Sequence, residues 1–385
     1  MKKMALLGTY SPRKCGIASF THDLFQHICN GNNECSVIAM NDDAEYFYPS
    51  EVKYQINQHS LEDYIRVAEE INHSDIEVVC IQHEFGIYGG ECGQYLLEIM
   101  RRLKVPVVTT LHTVLDNPSD LQKDIIQEIA SISSRIIVMS ELGKSMLEVI
   151  YHIGETKIQV IEHGIPDPNQ FHFKDYKEEF GIEGKKVLLT FGLLSKSKGI
   201  ETTLHALPEI VQKHPDIVYV ILGASHPHVI KHEGESYRKK LMELTHELQI
   251  SNYVIFVDRF VTQEELFGFL QMSDIYIIPY LSEKQITSGT LAYAMATDNA
   301  VVSTPFWHAQ EALAKGKGLF FGFNDSTMLG NIVTKLLDNQ SLLLSYQKRA
   351  ASYARQFLWR NVGQKYLQIF QSVQKPLKNQ TPKYA

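Results

Sequence analysis

Two segments of this sequence combine small, hydroxylated and cationic residues in the way a phosphate-binding loop does. In Gln285-Ile-Thr-Ser-Gly-Thr-Leu-Ala-Tyr-Ala-Met-Ala296, Thr287, Ser288 and Thr290 surround Gly289 at the start of a predicted helix. Free amides and hydroxyls at a helix N-terminus suit a phosphate, and glycine lets the backbone approach closely. Ordinary N-capping needs one hydroxyl, and three around one glycine exceed that requirement. In Gly192-Leu-Leu-Ser-Lys-Ser-Lys-Gly199, Lys196 and Lys198 lie between a predicted strand and a predicted helix. There they add mobile positive charge where the helix dipole already favours an anion. A loop of solvated lysines is the competing reading.

Histidines mark three further places. His83-Glu84-Phe85-Gly86, followed by Gly89-Gly90, sets an imidazole beside a carboxylate, a pairing suited to acid–base work or to binding sugar hydroxyls. A buried, satisfied histidine is the alternative. His112, in Thr109–Thr113, sits where another predicted strand stops, and His163-Gly164 lies in a turn-rich stretch. Each is either structural or part of a site. No Asp-x-Asp pair, Gly-x-Ser-x-Gly elbow or Gly-x-Gly-x-x-Gly fingerprint occurs, which argues against metal, serine-hydrolase and dinucleotide chemistry.

The elements that must position these residues alternate. Strands are predicted at 4–7, 37–40, 78–82, 105–111 and 136–139, with helices at 17–28, 61–71, 94–103 and 120–132 between them. A second series follows, with strands at 187–191, 218–222, 254–257, 275–279 and 300–303. Its helices are 200–214, 237–248, 263–271 and 288–296. Such alternation implies α/β architecture with parallel sheets covered on both faces, whose ligands bind in loops beyond the carboxyl ends of the strands. A chain of 385 residues suits two domains. The turn-rich stretch 160–168 sets the first at 1–170 and the second at 171–355, with 356–385 as a returning helix and tail. Residues after 328 read as helix almost to the end, and the tail from Gln374 is expected to fray.

Composition narrows the partners. The formal charge of −7, without a block of like charges, gives no footprint for nucleic acid. No stretch is long and apolar enough for a membrane span or a signal peptide, so a cytoplasmic protein is expected. Membrane association stays open but without support, because no basic amphipathic helix is visible. The oligomeric state is not legible. Five cysteines, odd in number and without a Cys-x-x-Cys pair, speak against a zinc site or a disulfide framework.

The motifs Thr9-Tyr-Ser-Pro-Arg-Lys-Cys-Gly-Ile-Ala18, His83–Gly86, Phe191–Glu201 and Ile286–Ala296 together resemble the retaining glycosyltransferases of family 4. The resemblance runs from Gly8 to about residue 370. It implies the GT-B fold: two doubly wound Rossmann-like domains, a cleft between them, and a C-terminal helix crossing back to the first. It also implies transfer of a hexose, mannose or glucose, from a nucleotide-diphosphate sugar to a saccharide or glycoconjugate acceptor. No metal or other cofactor is then expected. Carried over residue by residue, Lys14 and Gly16 would face acceptor and donor phosphate. His112 would contact the transferred sugar, with His83 and Glu84 on the sugar and acceptor side. Lys198, Ser288, Gly289 and Thr290 would hold the diphosphate, and Arg259 and Phe260 would lie near the base.

Three positions depart from the family pattern. Leu193 stands where the family usually has arginine, and Gln285 and Tyr293 stand where it usually has two glutamates. Gln285 can still hydrogen-bond a sugar hydroxyl, and Tyr293 can reach a ribose or pack in the core. Two alternatives therefore stand beside the transferase. One is a GT-B-like sugar phosphorylase or synthase, and the other a non-catalytic nucleotide-sugar-binding or polysaccharide-assembly subunit.

Overall fold

Continuous apolar runs account for the central strands. Met4–Leu7, Val78–His83 and Val107–Leu111 are buried throughout, as strands covered on both faces must be. The computed structural model describes residues 2–29, 33–171, 174–224 and 234–374. Two compact units divide at Gly164/Ile165 and Leu358/Trp359, so the segment from Trp359 onward belongs with the N-terminal unit. The first boundary falls at Gly164 instead of near 170. Ile165 bridges to Leu358 and donates its amide to the Phe357 carbonyl at 2.9 Å, which ties it to the second unit.

Seven strands are described in the first unit: β1 (Lys2–Gly8), β2 (Asn33–Asn41), β3 (Val52–Asn57), β4 (Val78–His83), β5 (Val107–Leu111), β6 (Arg135–Val138) and β7 (Ile158–Val160). They pair in parallel in the order β3-β2-β1-β4-β5-β6-β7, so the strand order reverses between β1 and β4. Helices α1 (Gly16–Ile28), α2 (Leu61–Asn72), α3 (Leu96–Arg102), α4 (Asp120–Ile132) and α5 (Glu141–Val149) lie between the strands. Sequence signals place their ends. The Ser60 side chain caps α2, and Ser119 with Gln122 forms a capping box at α4.

The second unit contains α6 (Tyr176–Glu179), β8 (Lys186–Phe191), α7 (Ile200–Lys213), β9 (Ile217–Leu222), α8 (Ser236–Glu247), β10 (Val254–Val257) and α9 (Gln263–Met272). It continues through β11 (Ile275–Ile278), α10 (Gly289–Ala296), β12 (Ala300–Ser303), α11 (Trp307–Ala312), β13 (Leu319–Phe320), α12 (Ser326–Asp338) and α13 (Gln340–Ala354). Its described sheet is parallel, ordered β10-β9-β8-β11-β12-β13, and reverses between β8 and β11. Successive residues feed opposite cores: Val187, Leu189, Val218, Val220, Tyr276 and Ile278 on one face, and Leu188, Ile217, Tyr219, Ile221, Ile275 and Ile277 on the other.

The last helix, α14 (Trp359–Gln374), packs on α1 within the first unit. Its Trp359 indole donates to Asp23 at 3.1 Å, and its Tyr366 hydroxyl meets Thr110 Oγ1 at 3.0 Å. The helical region expected after 328 is thus three helices, broken at Asn339 and at 355–358; the Asn339 side chain caps α13 by accepting from Leu342. The tail expected to fray lies, beyond Gln374, outside the described residues. The described cysteines form one pair. Cys29 and Cys35 form a disulfide with Cα atoms 5.6 Å apart, because the end of α1 and the start of β2 return to adjacent positions. No described helix is long and apolar enough to cross a membrane.

Candidate functional site

The diphosphate-type chemistry read from the sequence falls at the switch point of the second sheet. The loops after β8 and β11 are neighbours because those strands pair on either side of the reversal, the position where open α/β sheets bind ligands. The two loops are also tied together. Leu281 donates its amide to the Ser197 carbonyl at 3.0 Å, and Gly199, at φ 61°, lies against Pro279. A Cβ at Gly199 would come 2.1 Å from the Pro279 carbonyl oxygen, so only glycine meets both the turn and the approach.

At the start of α10, Ser288 is the N-cap, and its hydroxyl accepts from the Leu291 amide at 3.4 Å. The Gly289 and Thr290 amides, which have no intrahelical partner at these positions, find no acceptor among the described residues. Thr290 Oγ1 lies 3.1 Å from both Ser288 Oγ and the Tyr280 hydroxyl. Lys198 Nζ sits 3.9 Å from the centre of the Tyr280 ring, and no described carboxylate pairs with it. Burial raises the Tyr280 phenol, but the Lys198 charge and hydrogen bonds from Thr290, Lys198 and Ser288 outweigh it and leave the group below its ordinary value. Two unsatisfied amides, two hydroxyls and one ammonium therefore gather on a half-exposed helix start, an arrangement that can hold a diphosphate.

The departing residues Gln285 and Tyr293 have partners within the second unit. The Gln285 side-chain amide turns back to the Thr287 carbonyl at 2.8 Å. Tyr293 is half-buried, its ring 5.6 Å from that of Phe267. Arg259 pairs with Glu265 at 2.6 Å, and Glu265 also closes the capping box of α9 with Thr262. Phe260 is 47% exposed. Arg259 and Phe260 thus follow β10, at the edge of the sheet and two strands from β8. Tyr280 and His308 complete the seat and were not singled out in the sequence. Tyr280 follows the strand end directly, whereas His308 is 20 residues from the serine it touches.

In the first unit the histidines converge. His83 ends β4 fully buried, with neither ring nitrogen partnered among the described residues, its ring stacked on Tyr88 and edge-on to Phe85. Burial lowers it to about 3. Glu84 accepts from Thr113 Oγ1 at 2.6 Å and from the Phe85 amide at 3.1 Å, and burial raises its carboxyl. His112 Nε2 lies 3.0 Å from Gln82 Oε1, so that nitrogen carries the proton. Burial, with a smaller contribution from His163 and His83, lowers its pKa to about 3. His163 donates from Nδ1 to the Gly164 carbonyl at 2.7 Å and is lowered by burial to about 4. Phe20 binds the group together, edge-on to His112, His163 and Trp359 at 4.7, 5.1 and 5.0 Å. All three imidazoles are neutral near pH 7; His112 and His163 act as hydrogen-bonding groups, and none of the three is a cation.

The loop after β1 presents Lys14 and Gly16 exposed. Cys15 between them caps α1, its sulfur accepting from Ala18 and lying 3.1 Å from Thr9 Oγ1. A Cβ at Gly16 would meet nothing within 4 Å, so the fold itself does not require glycine there. Among the described residues no group of three or more His, Cys, Asp or Glu side chains is placed to hold a metal ion.

Comparison with known proteins defines the class. The profile for Glycosyltransferase Family 4 matches residues 15–167, and that for Glycosyl transferases group 1 matches 172–357. Among solved structures, a glycosyltransferase from Rickettsia africae ESF-5 superposes with a TM-score of 0.79 at 17% identity, covering 97% of this chain and 99% of that one. Anabaena Alr3699/HepE, solved with UDP and glucose, gives 0.75 at 15% identity and covers 97% and 100%. The fold is that of the GT-B glycosyltransferases. Between them the two profiles span most of the chain, which belongs to glycosyltransferase family 4.

Curated relatives include spore coat protein SA of Bacillus subtilis, 26% identical over 51% of this chain and 52% of its own length. D-inositol 3-phosphate glycosyltransferase of Corynebacterium urealyticum is 26% identical over 64% of this chain and 58% of its own. The matches thus span between half and three-fifths of these two relatives.

Proposed function

We propose that this enzyme transfers a hexose, mannose or glucose, from a nucleotide-diphosphate sugar to a saccharide or glycoconjugate acceptor, with retention of anomeric configuration. The observation that carries the reading is the switch-point seat: the Gly289 and Thr290 amides, the Ser288 and Thr290 hydroxyls and Lys198. Negative charge grows on the diphosphate as the glycosidic bond breaks. Preorganised amides and an ammonium favour that charge more in the transition state than in the ground state. This neutralisation needs no divalent cation, so the reaction is read as metal-independent. The UDP in the Anabaena structure supports a nucleotide donor. The neutral imidazole of His112 is suited to a sugar hydroxyl, and Lys14 and Gly16 to acceptor and phosphate. The reading places the protein in the cytoplasm.

A thermal-shift panel of UDP-, GDP- and ADP-sugars tests the donor, followed by NMR of the product anomer. Selective stabilisation by one donor and a retained anomer are expected; no stabilisation by any would overturn the reading. One observation favours a second possibility, a nucleotide-sugar-binding subunit without turnover. Gln285 and Tyr293 are engaged with Thr287 and Phe267 instead of supplying carboxylates. That reading predicts donor binding with no transfer across a broad acceptor panel.

A further inference from the structure

The helix start that carries the proposed diphosphate seat is held from behind by a histidine. His308, near the start of α11, is buried at 9% exposure, and its Nδ1 lies 2.9 Å from the amide nitrogen of Ser288. An amide can only donate, so Nδ1 accepts and the ring proton resides on Nε2. Two backbone bonds reinforce the attachment. The His308 amide donates to the Gln285 carbonyl at 3.0 Å, and the Trp307 amide donates to the Glu283 carbonyl at 2.9 Å. The segment 283–288 is therefore fastened to α11 at three points, of which one runs through a side chain.

This attachment divides the amides of the seat. Ser288 is 3% exposed, so its N–H would be a buried orphan without the imidazole. With it, that donor is spent inside the protein, and the Gly289 and Thr290 amides are the ones left to a ligand. The same bond fixes the backbone of the N-cap in its extended conformation, φ −144° and ψ 105°. The direction of Ser288 Oγ follows from that backbone, and Thr290 Oγ1 is 3.1 Å away.

We propose that His308 is a positioning residue for donor binding: by accepting from the Ser288 amide it sets the N-cap whose neighbours hold the diphosphate. The inference rests on the donor reading above. It is specific to one atom. An asparagine at 308 can place its side-chain oxygen close to where Nδ1 lies, whereas a glutamine reaches the place of Nε2 and a leucine offers no acceptor.

Isothermal titration of UDP, GDP and ADP into the full-length protein and its His308→Asn, His308→Gln and His308→Leu variants tests it, with a melting curve for each. For the diphosphate that binds, His308→Asn should keep the Kd within about threefold. His308→Gln and His308→Leu should weaken it by about tenfold or more, as expected for one orphaned buried donor. If the leucine variant does not fold, the contrast of asparagine with glutamine decides. Equal affinity in all folded variants, or an asparagine variant as weak as the glutamine one, would overturn the inference and leave the donor reading standing. Failure of the wild-type protein to bind any of the three would remove the donor reading, and this inference with it.

Discussion

His83 shows what a single buried side chain does to this protein. Its folded pKa of about 3 lies below the ordinary 6.5, so between those values the unfolded chain binds the extra proton. The stability it contributes is fully present above pH 6.5 and is lost as pH falls toward 3. Between pH 6.5 and 5 the loss should be about 2 kcal/mol. Glu84, whose carboxyl is raised, acts in the opposite sense but is common to wild type and a His83 variant. Urea melts at pH 7.5 and 5 should therefore show a smaller acid loss in His83→Leu than in wild type. Parallel losses would contradict this. At the proposed diphosphate seat, Lys198→Ala and the double change Ser288→Ala/Thr290→Ala should each lower kcat on the preferred donor by about 10²–10³-fold. Unchanged turnover in steady-state assays would remove these residues from the site. The hydroxyls around Gly289 and the lysine at a strand end were legible in the sequence because their chemistry is local. His308 was not, because nothing in the spacing of 288 and 308 says that they touch. The actual engagements of Gln285 and Arg259 were likewise set by packing partners that a linear reading does not contain.

At the scale of elements, the seat depends on two loops meeting tightly. Gly199→Ala would put a methyl 2.1 Å from the Pro279 carbonyl at a left-handed backbone position, and should cost about 2 kcal/mol or more in a chemical melt. A neutral effect would mean the loops can part without penalty. The disulfide makes a second prediction. Thiol counting on the unreduced, denatured protein should find three free cysteines, Cys15, Cys80 and Cys92, rising to five on reduction. Five before reduction would contradict the pairing. Most strands and helices were readable from apolar runs and helical periodicity. β3 was missed because Val52–Asn57 has no continuous apolar run; its signal is the alternation of Val52, Tyr54 and Ile56 with polar residues, as expected of an edge strand. The two-residue β13 and the six-residue α11 are too short to show a period. The break before α14 was hidden because 355–358 contains neither glycine nor proline.

The whole molecule repeats one solution twice, a parallel sheet whose order reverses beside its first strand, and in each the residues with chemistry lie beyond the carboxyl ends of the strands. In the first unit these are neutral histidines; in the second they are amides, hydroxyls and a lysine. A ligand that binds only the folded protein stabilises it by about 2.7 kcal/mol at a hundredfold excess over Kd, so the donor should also raise the melting temperature. The central claim is narrower, that the diphosphate occupies the reversal of the second sheet. Hydrogen–deuterium exchange of the intact protein with and without saturating nucleoside diphosphate tests it most directly. The account predicts slowed exchange in peptides covering 192–199 and 286–292, with Gly289 and Thr290 among the protected amides. Saturating binding that leaves both segments unprotected would contradict it.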